Sequence, residues 1–166
     1  MKIISFNTGY FLGYDGTHSQ YLRHPKKAFR SDSKEEKKNL DDFVDLIESE
    51  DPDVVAVQEI DNGSIRSSFG NQVDYLSEKL EYKISFNCKY SGILANMPLT
   101  RNLGNSLIYD KGEILTHRLR GGQKNLVQEL KLDGFSLFSV HLATFGQWSR
   151  RRQIRNLSNI VKNRDN

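Results

Sequence analysis

Three polar residues stand at the ends of strand-like segments, where a rigid element can hold a side chain at the mouth of a sheet. The first is Glu59. Asp51-Pro52 stops whatever helix precedes it, because the residue before proline is pushed out of the α region. Val54-Val55-Ala56-Val57 is then an unbroken apolar run rich in β-branched residues, the pattern of a strand buried on both faces. The run closes on Gln58-Glu59, and a carboxylate delivered there is costly unless it is solvated, paired or bound to a cation. A strand that simply turns polar as it reaches water gives the same letters. Asn7 ends a second alternating segment, Lys2 to Thr8, where an asparagine can equally form the turn at Thr8-Gly9. His141 lies between Val140 and Leu142, near the end of a third segment that starts at Phe135. Its imidazole is either a half-buried group bonded to nearby backbone or an acid or donor aimed at a reacting group.

These positions need elements to hold them, and the chain supplies an alternating series. Ser33-Lys34-Glu35-Glu36 has the form of a capping box opening a helix. Leu40, Phe43, Val44 and Ile47 repeat at helical spacing behind it, with charged residues on the other side. Asn71 can cap a second helix whose apolar stripe is Val73, Leu76 and Leu80. Strands are expected over Tyr82 to Phe86, Leu103 to Tyr109, Glu113 to Leu119, Leu126 to Leu132 and Phe135 to Leu142. Asp133-Gly134 makes a hairpin turn of the type that needs positive φ. A last helix, Trp148 to Asn163, should turn Ile154, Leu157, Ile160 and Val161 inward and Arg150, Arg151, Arg152 and Arg155 largely outward. This order predicts one α/β sandwich domain over residues 1–166, with sheets at the centre and helices outside.

Between Gly9 and Arg30 no period holds. Glycines 9, 13 and 16 alternate with Tyr10, Phe11, Tyr14, Tyr21 and Phe29 and with Arg23, His24, Lys26, Lys27 and Arg30. Basic and aromatic side chains together suit holding a phosphate and stacking a base. Packing of the aromatics back onto the domain accounts for the same composition.

Taken in order, these segments resemble the endonuclease/exonuclease/phosphatase superfamily, the DNase I-like metal-dependent phosphodiesterases. Met1 to Asn7 is similar to its first motif, a strand ending in asparagine, and Val54 to Glu59 to its second. Gly104-Asn105-Ser106-Leu107-Ile108 resembles the middle strand and Ser139-Val140-His141-Leu142 the histidine strand. Arg150-Arg151-Arg152-Gln153 falls where family members often carry an R-x-x-Q helix start. The resemblance implies a DNase I-like α/β sandwich of two central mixed sheets flanked by helices. It also implies a metal-dependent phosphoester hydrolase, a phosphodiesterase or nuclease, whose cofactor is Mg2+ or Mn2+. Magnesium suits such chemistry, since it prefers oxygen ligands and is held by one or two protein groups plus the substrate phosphate. On this resemblance Glu59 and Asn7 are the metal pair, His141 and Asn105 the catalytic donors to the phosphate, and Lys124 and Arg150 substrate contacts. Many family members have arginine where this chain has Lys124, and lysine meets a phosphate as a point charge rather than a fork.

A second departure is larger. The family carries two further motifs after the last helix, a Gly-Asp-Phe-Asn strand end and a Ser-Asp-His that supplies the base, and nothing here matches either. The chain stops at Asn166 where the first of them would begin. The expectation is therefore the N-terminal part of a catalytic domain, with the base on an absent segment and a second sheet open to self-association. A binding module for phosphate or nucleic acid that has lost hydrolysis is the alternative.

Composition is consistent with either. The 166 residues carry 37% hydrophobic and 10% aromatic residues and a net charge of +3, with a sequence pI near 8.9 and a mean hydropathy of −0.62. That is ample for one core and outside the disordered range. The mild basicity suits a phosphate-bearing partner without demanding nucleic acid. Cys88 is the only cysteine, which excludes an intrachain disulfide and a cysteine-built zinc site. No secretory h-region and no membrane-length apolar run occurs, so a cytoplasmic protein is expected.

Overall fold

The computed structural model describes residues 1–13, 32–67, 70–143 and 146–163. Most of the glycine-, aromatic- and base-rich loop ending at Arg30 lies outside the described residues. Among the described residues, seven strands form two sheets. In the first, β1 (Ile3–Asn7) runs parallel to β2 (Val54–Asp61), β2 is antiparallel to β4 (Leu103–Tyr109), and β4 is antiparallel to β3 (Lys83–Cys88). The second is an antiparallel meander of β5 (Glu113–Arg118), β6 (Leu126–Leu132) and β7 (Phe135–Val140).

The β2 run is buried on both faces, as its composition requires. Val55 and Val57 face α1 (Ser33–Glu50) and α2 (Gln72–Lys79), joining Leu40, Phe43, Val44, Ile47, Val73 and Leu76 in the larger core. Val54 and Ala56 face the other way and meet Leu107 of β4 and Leu130 of β6 between the sheets. Alternate side chains of one strand thus close two layers, since successive residues point to opposite faces. Each fully buried residue of the kind of Ile47 contributes about 2–3 kcal/mol of transfer free energy.

Local signals are confirmed at several joints. Asn71 Oδ1 accepts from the amides of Val73 and Asp74 at 3.1 and 3.2 Å, capping α2. Asp51, ahead of Pro52, ends α1 in the left-handed region at φ 43°. Leu132 and Phe135 pair across a two-residue turn, with Gly134 at φ 86°. The capping box shifts by one residue: Asp32, not Ser33, is the N-cap and accepts from the Lys34 amide at 3.0 Å. Glu36 is buried instead of reaching back to the cap, and it accepts from Gln72 Nε2 at 2.6 Å.

The last helix, α3 (Gln147–Lys162), departs from its expected stripe. Ile154 is 53% exposed and Val161 is also exposed, while Gln153 is fully buried. A polar residue displaces the apolar ones because the surface beneath this face presents backbone carbonyls and an amide rather than hydrocarbon. No helix among the described residues is long and apolar enough to cross a membrane.

Gly104 fixes how closely β3 and β4 approach beside the site. A Cβ there would lie 2.2 Å from the Asn87 carbonyl and 2.5 Å from the Phe86 ring. Gly104→Ala is therefore expected to cost about 1–3 kcal/mol, the range of an overpacked core position. Urea denaturation of the variant against the parent chain checks it; unchanged stability would show that the two strands can part freely.

Candidate active site

Glu59 interrupts the β2–β4 ladder. Gln58 pairs with Asn105 and Ile60 with Gly104, so Glu59 is the extra residue of a β-bulge and takes φ 60°. A non-glycine residue in the left-handed region costs about 1–2 kcal/mol, and it persists only where its surroundings hold it. They do so from both sides. Thr8, one residue past β1, donates its amide to the Gln58 carbonyl at 3.0 Å and its hydroxyl to the Glu59 carbonyl at 2.6 Å. On the β4 side, Asn105 Oδ1 accepts from the Glu59 amide at 3.3 Å. The bulge re-aims the carboxylate toward the end of the second sheet.

There it meets two lysines and a histidine. Glu59 Oε1 accepts from Lys124 Nζ at 2.9 Å and from Lys89 Nζ at 3.2 Å, and it lies 3.9 Å from His141 Nε2. Lys124 Nζ is also 3.3 Å from His141 Nε2. Glu59, Lys124 and His141 remain slightly open to solvent, at 17–18%, whereas Lys89 is 1% exposed. Its ammonium also donates to the Tyr10 hydroxyl and rests against the Tyr10 and Tyr90 rings, 4.7 and 5.3 Å from their centroids.

Electrostatics follow from this packing. Burial opposes the charge on Glu59, but Lys89 and then Lys124 outweigh it and bring the carboxyl down to about 2. Burial lowers Lys89 to about 8 against the pull of Glu59. Burial, reinforced by the Lys124 ammonium, lowers His141 to about 4 although Glu59 favours its charge. Near neutral pH the imidazole is therefore uncharged, with Nε2 accepting from Lys124. Its Nδ1 is buried without a hydrogen-bond partner among the described residues. Burial and the Glu59 charge together raise the Tyr10 phenol, which stays protonated.

The remaining expected site residues take different stations. Asn105 is buried and supports the Glu59 backbone. Asn7 is opposite Gln58 in the ladder, but its amide oxygen accepts from the Gly9 amide at 3.1 Å, holding the turn after β1. Arg150 Nη1 is 3.5 Å from the carbonyl of Ala143, two residues beyond His141. Gln153 is central to the scaffold. Its Nε2 donates to the carbonyls of Gly121 and Lys124 at 2.7 and 2.6 Å, and its Oε1 accepts from the Ala143 amide at 3.0 Å. One buried amide thus fastens α3 both to the loop carrying Lys124 and to the strand exit carrying His141. Sequence reasoning missed Lys89 and Tyr10 as members of the site. Neither stands in a periodic segment, and only their meeting in space marks them.

No three His, Cys, Asp or Glu side chains among the described residues cluster closely enough to form a metal cage. Magnesium needs less than a cage, because one carboxylate, waters and a substrate phosphate can complete its shell. Glu59 fits that demand, since both lysines share Oε1 and Oε2 accepts no hydrogen bond among the described residues. The two ammoniums make the fit conditional on a compensating anion.

No family model matches the chain, and no curated protein matches it in sequence. Solved structures do match. An endonuclease/exonuclease/phosphatase from Beutenbergia cavernae superposes with a TM-score of 0.60 at 18% identity, over 93% of this chain and 42% of that one. The human Nocturnin catalytic domain with bound sulfate anion gives 0.58 at 18% identity, over 98% of this chain and 58% of that one. Truncated Caenorhabditis elegans TDP2 gives 0.54 at 14% identity, over 99% and 55%. The protein has the endonuclease/exonuclease/phosphatase fold, the DNase I-like α/β sandwich. The chain spans about half the length of the structures it matches.

Gln153→Ala is expected to take a partner from two part-buried carbonyls and one buried amide, costing about 2–4 kcal/mol. Chemical denaturation gives the loss, and faster hydrogen exchange at residues 121–124 and along α3 would locate it. Equal stability would mean that water replaces the side chain at no cost.

Proposed function

We propose that this chain carries the metal- and phosphate-binding part of a phosphoester hydrolase site, acting as a phosphodiesterase or nuclease in the whole protein. The observation that carries the reading is the Glu59 bulge. A strained backbone position on a buried strand holds a carboxylate at the end of the sheets, where Lys124 and His141 converge on it from the second sheet and its adjoining loop. The likeness in fold to an endonuclease/exonuclease/phosphatase, and to a Nocturnin domain with a bound sulfate anion, supports it.

In this reading Glu59 is the protein ligand for Mg2+ or Mn2+, and the ion when bound would offset charge on the phosphoryl oxygens. Lys124, slightly open to solvent, pairs with a non-bridging phosphate oxygen. His141 contacts the phosphate once Lys124 leaves its Nε2, either by taking a proton or by turning its protonated nitrogen toward the substrate. Asn105 acts on the site by holding the Glu59 backbone, and Asn7 by shaping the turn beside it. Arg150 binds beyond the reacting phosphate, along the chain that follows His141. The mixed basic and aromatic loop before Arg30 inclines the substrate toward nucleic acid.

A magnesium-dependent assay on a generic phosphodiester tests the reading in the whole protein. Glu59→Gln should remove most of the activity without loss of folding. His141→Ala should lower turnover by about two to four orders of magnitude, as for a lost positioned donor or acid, with little change in magnesium affinity. Activity within a few-fold in Glu59→Gln would make Glu59 structural. Tight phosphate binding without turnover in the whole protein would instead make it a binding module.

A further inference from the structure

A buried lysine facing the metal-ligand carboxylate is an unexpected neighbour for a divalent cation. Lys89 Nζ has no exit to solvent at 1% exposure, and Glu59 is the carboxylate it pairs with. Its other direct contacts, the Tyr10 hydroxyl and the rings of Tyr10 and Tyr90, suit an ammonium but carry no charge, while the Arg66 guanidinium lies over the same Tyr10 ring at 4.6 Å. The backbone holds it in place too: the Lys89 amide donates to the Leu103 carbonyl at 3.1 Å and its carbonyl accepts from the Asn125 amide at 3.2 Å. Lys124 shares the oxygen but differs in exposure and in its second partner. It is 17% exposed, it divides its hydrogen bonds between Glu59 and His141, and only its backbone is fastened, through Gln153. One carboxylate therefore faces a fixed ammonium behind it and an exchangeable one in front.

Two ammoniums thus share one carboxylate oxygen, Lys89 Nζ at 3.2 Å and Lys124 Nζ at 2.9 Å from Glu59 Oε1. A divalent cation arriving alone meets two ammoniums at short range in a poorly hydrated place, where Coulomb repulsion is strong. A phosphate arriving alone must compete with Glu59 for Lys124. When both arrive, Lys124 moves to the phosphate and Glu59 to the cation, while Lys89 stays and balances the added negative charge. Resting on the reading of Glu59 as the metal ligand, we propose that Lys89 is a positioning residue, a fixed counter-charge that makes the site take divalent cation and phosphate as a coupled pair. A site occupied by metal without substrate is then sparsely populated, and the anion sets the affinity for the ion.

Isothermal titration of the full chain with Mg2+ and with inorganic phosphate, each alone and each in the presence of the other, tests this directly. The expected result is a rise in Mg2+ affinity of about tenfold or more at saturating phosphate, with the same factor for phosphate at saturating Mg2+, since binding coupling is reciprocal. Lys89→Met keeps the length and removes the charge. It should bind Mg2+ alone about tenfold more tightly than the parent chain and show a smaller coupling factor. Lys124→Gln, at a partly buried position outside the hydrophobic core clusters, should also bind Mg2+ alone more tightly but lose phosphate affinity, and it decides the matter should Lys89→Met fail to fold. Independent binding of the two ions within about twofold, or no gain in Mg2+ affinity in these variants, would overturn the coupling. Loss of Mg2+ binding in Glu59→Gln would then still uphold the metal reading. No Mg2+ binding by the parent chain under any condition would overturn both.

Discussion

One extra residue in one strand organises the functional end of this molecule. Glu59 has no partner in the β2–β4 ladder, and its left-handed backbone turns the carboxylate out of the alternation that the rest of β2 obeys. Such a conformation stands only when neighbours make every alternative worse. Thr8 from the β1 side and Asn105 from the β4 side hold the carbonyl and the amide of the same residue. The irregularity falls at the half-buried Gln58-Glu59 pair, between the buried run of Val54, Val55, Ala56 and Val57 and the equally buried Ile60 and Asp61.

The strain extends to the chain that leaves β1. Gly9, Tyr10 and Phe11 all take positive φ, and only the glycine does so without steric cost. Burial compensates for the other two. The Phe11 ring packs edge-on against Phe43 at 5.4 Å. Gln72 Nε2 donates to the Tyr10 carbonyl at 2.8 Å, while the Tyr10 hydroxyl receives Lys89. The turn that shapes the site thus rests on α1 and α2, whose own burial depends on the strand that carries Glu59. Core and site are held by the same contacts, which explains how a buried lysine and a strained glutamate can coexist in one place.

Charge placement follows from which side chains the loops can lower into that end. Residues 89–91 and 118–125 are joined by Arg118, which bonds the Tyr90 carbonyl and Asn125, and by Asn125 to Ser91. This seam brings a cation from the end of β3 and another from the β5–β6 connection onto one oxygen. Gln153 then secures the second cation's backbone from outside. Two sheets converge in the endonuclease/exonuclease/phosphatase fold as a matter of packing, but the polarity of their meeting point is decided by these few side chains.

The sequence by itself determined the elements and the layers. The apolar run of β2, the stripe of Leu40, Phe43, Val44 and Ile47, the Asn71 cap and the Asp133-Gly134 turn are local signals, each legible because burial or backbone geometry leaves a periodic or positional mark. It also singled out Glu59 and His141, although β2 runs on through the Glu59 bulge to Asp61 and β7 ends at Val140, one residue before His141, and the order of motifs anticipated the fold. Tertiary structure alone decided the rest. Lys89 and Tyr10 enter the site from segments without period, Asn7 turns to its own backbone, and Gln153 takes the buried place that the pattern assigned to Ile154 and Val161. Each of these depends on which backbone groups lie opposite, a property of packed surfaces that no spacing along the chain records. The charge state of the site belongs to the same class, because burial and neighbours separated by tens of residues set it.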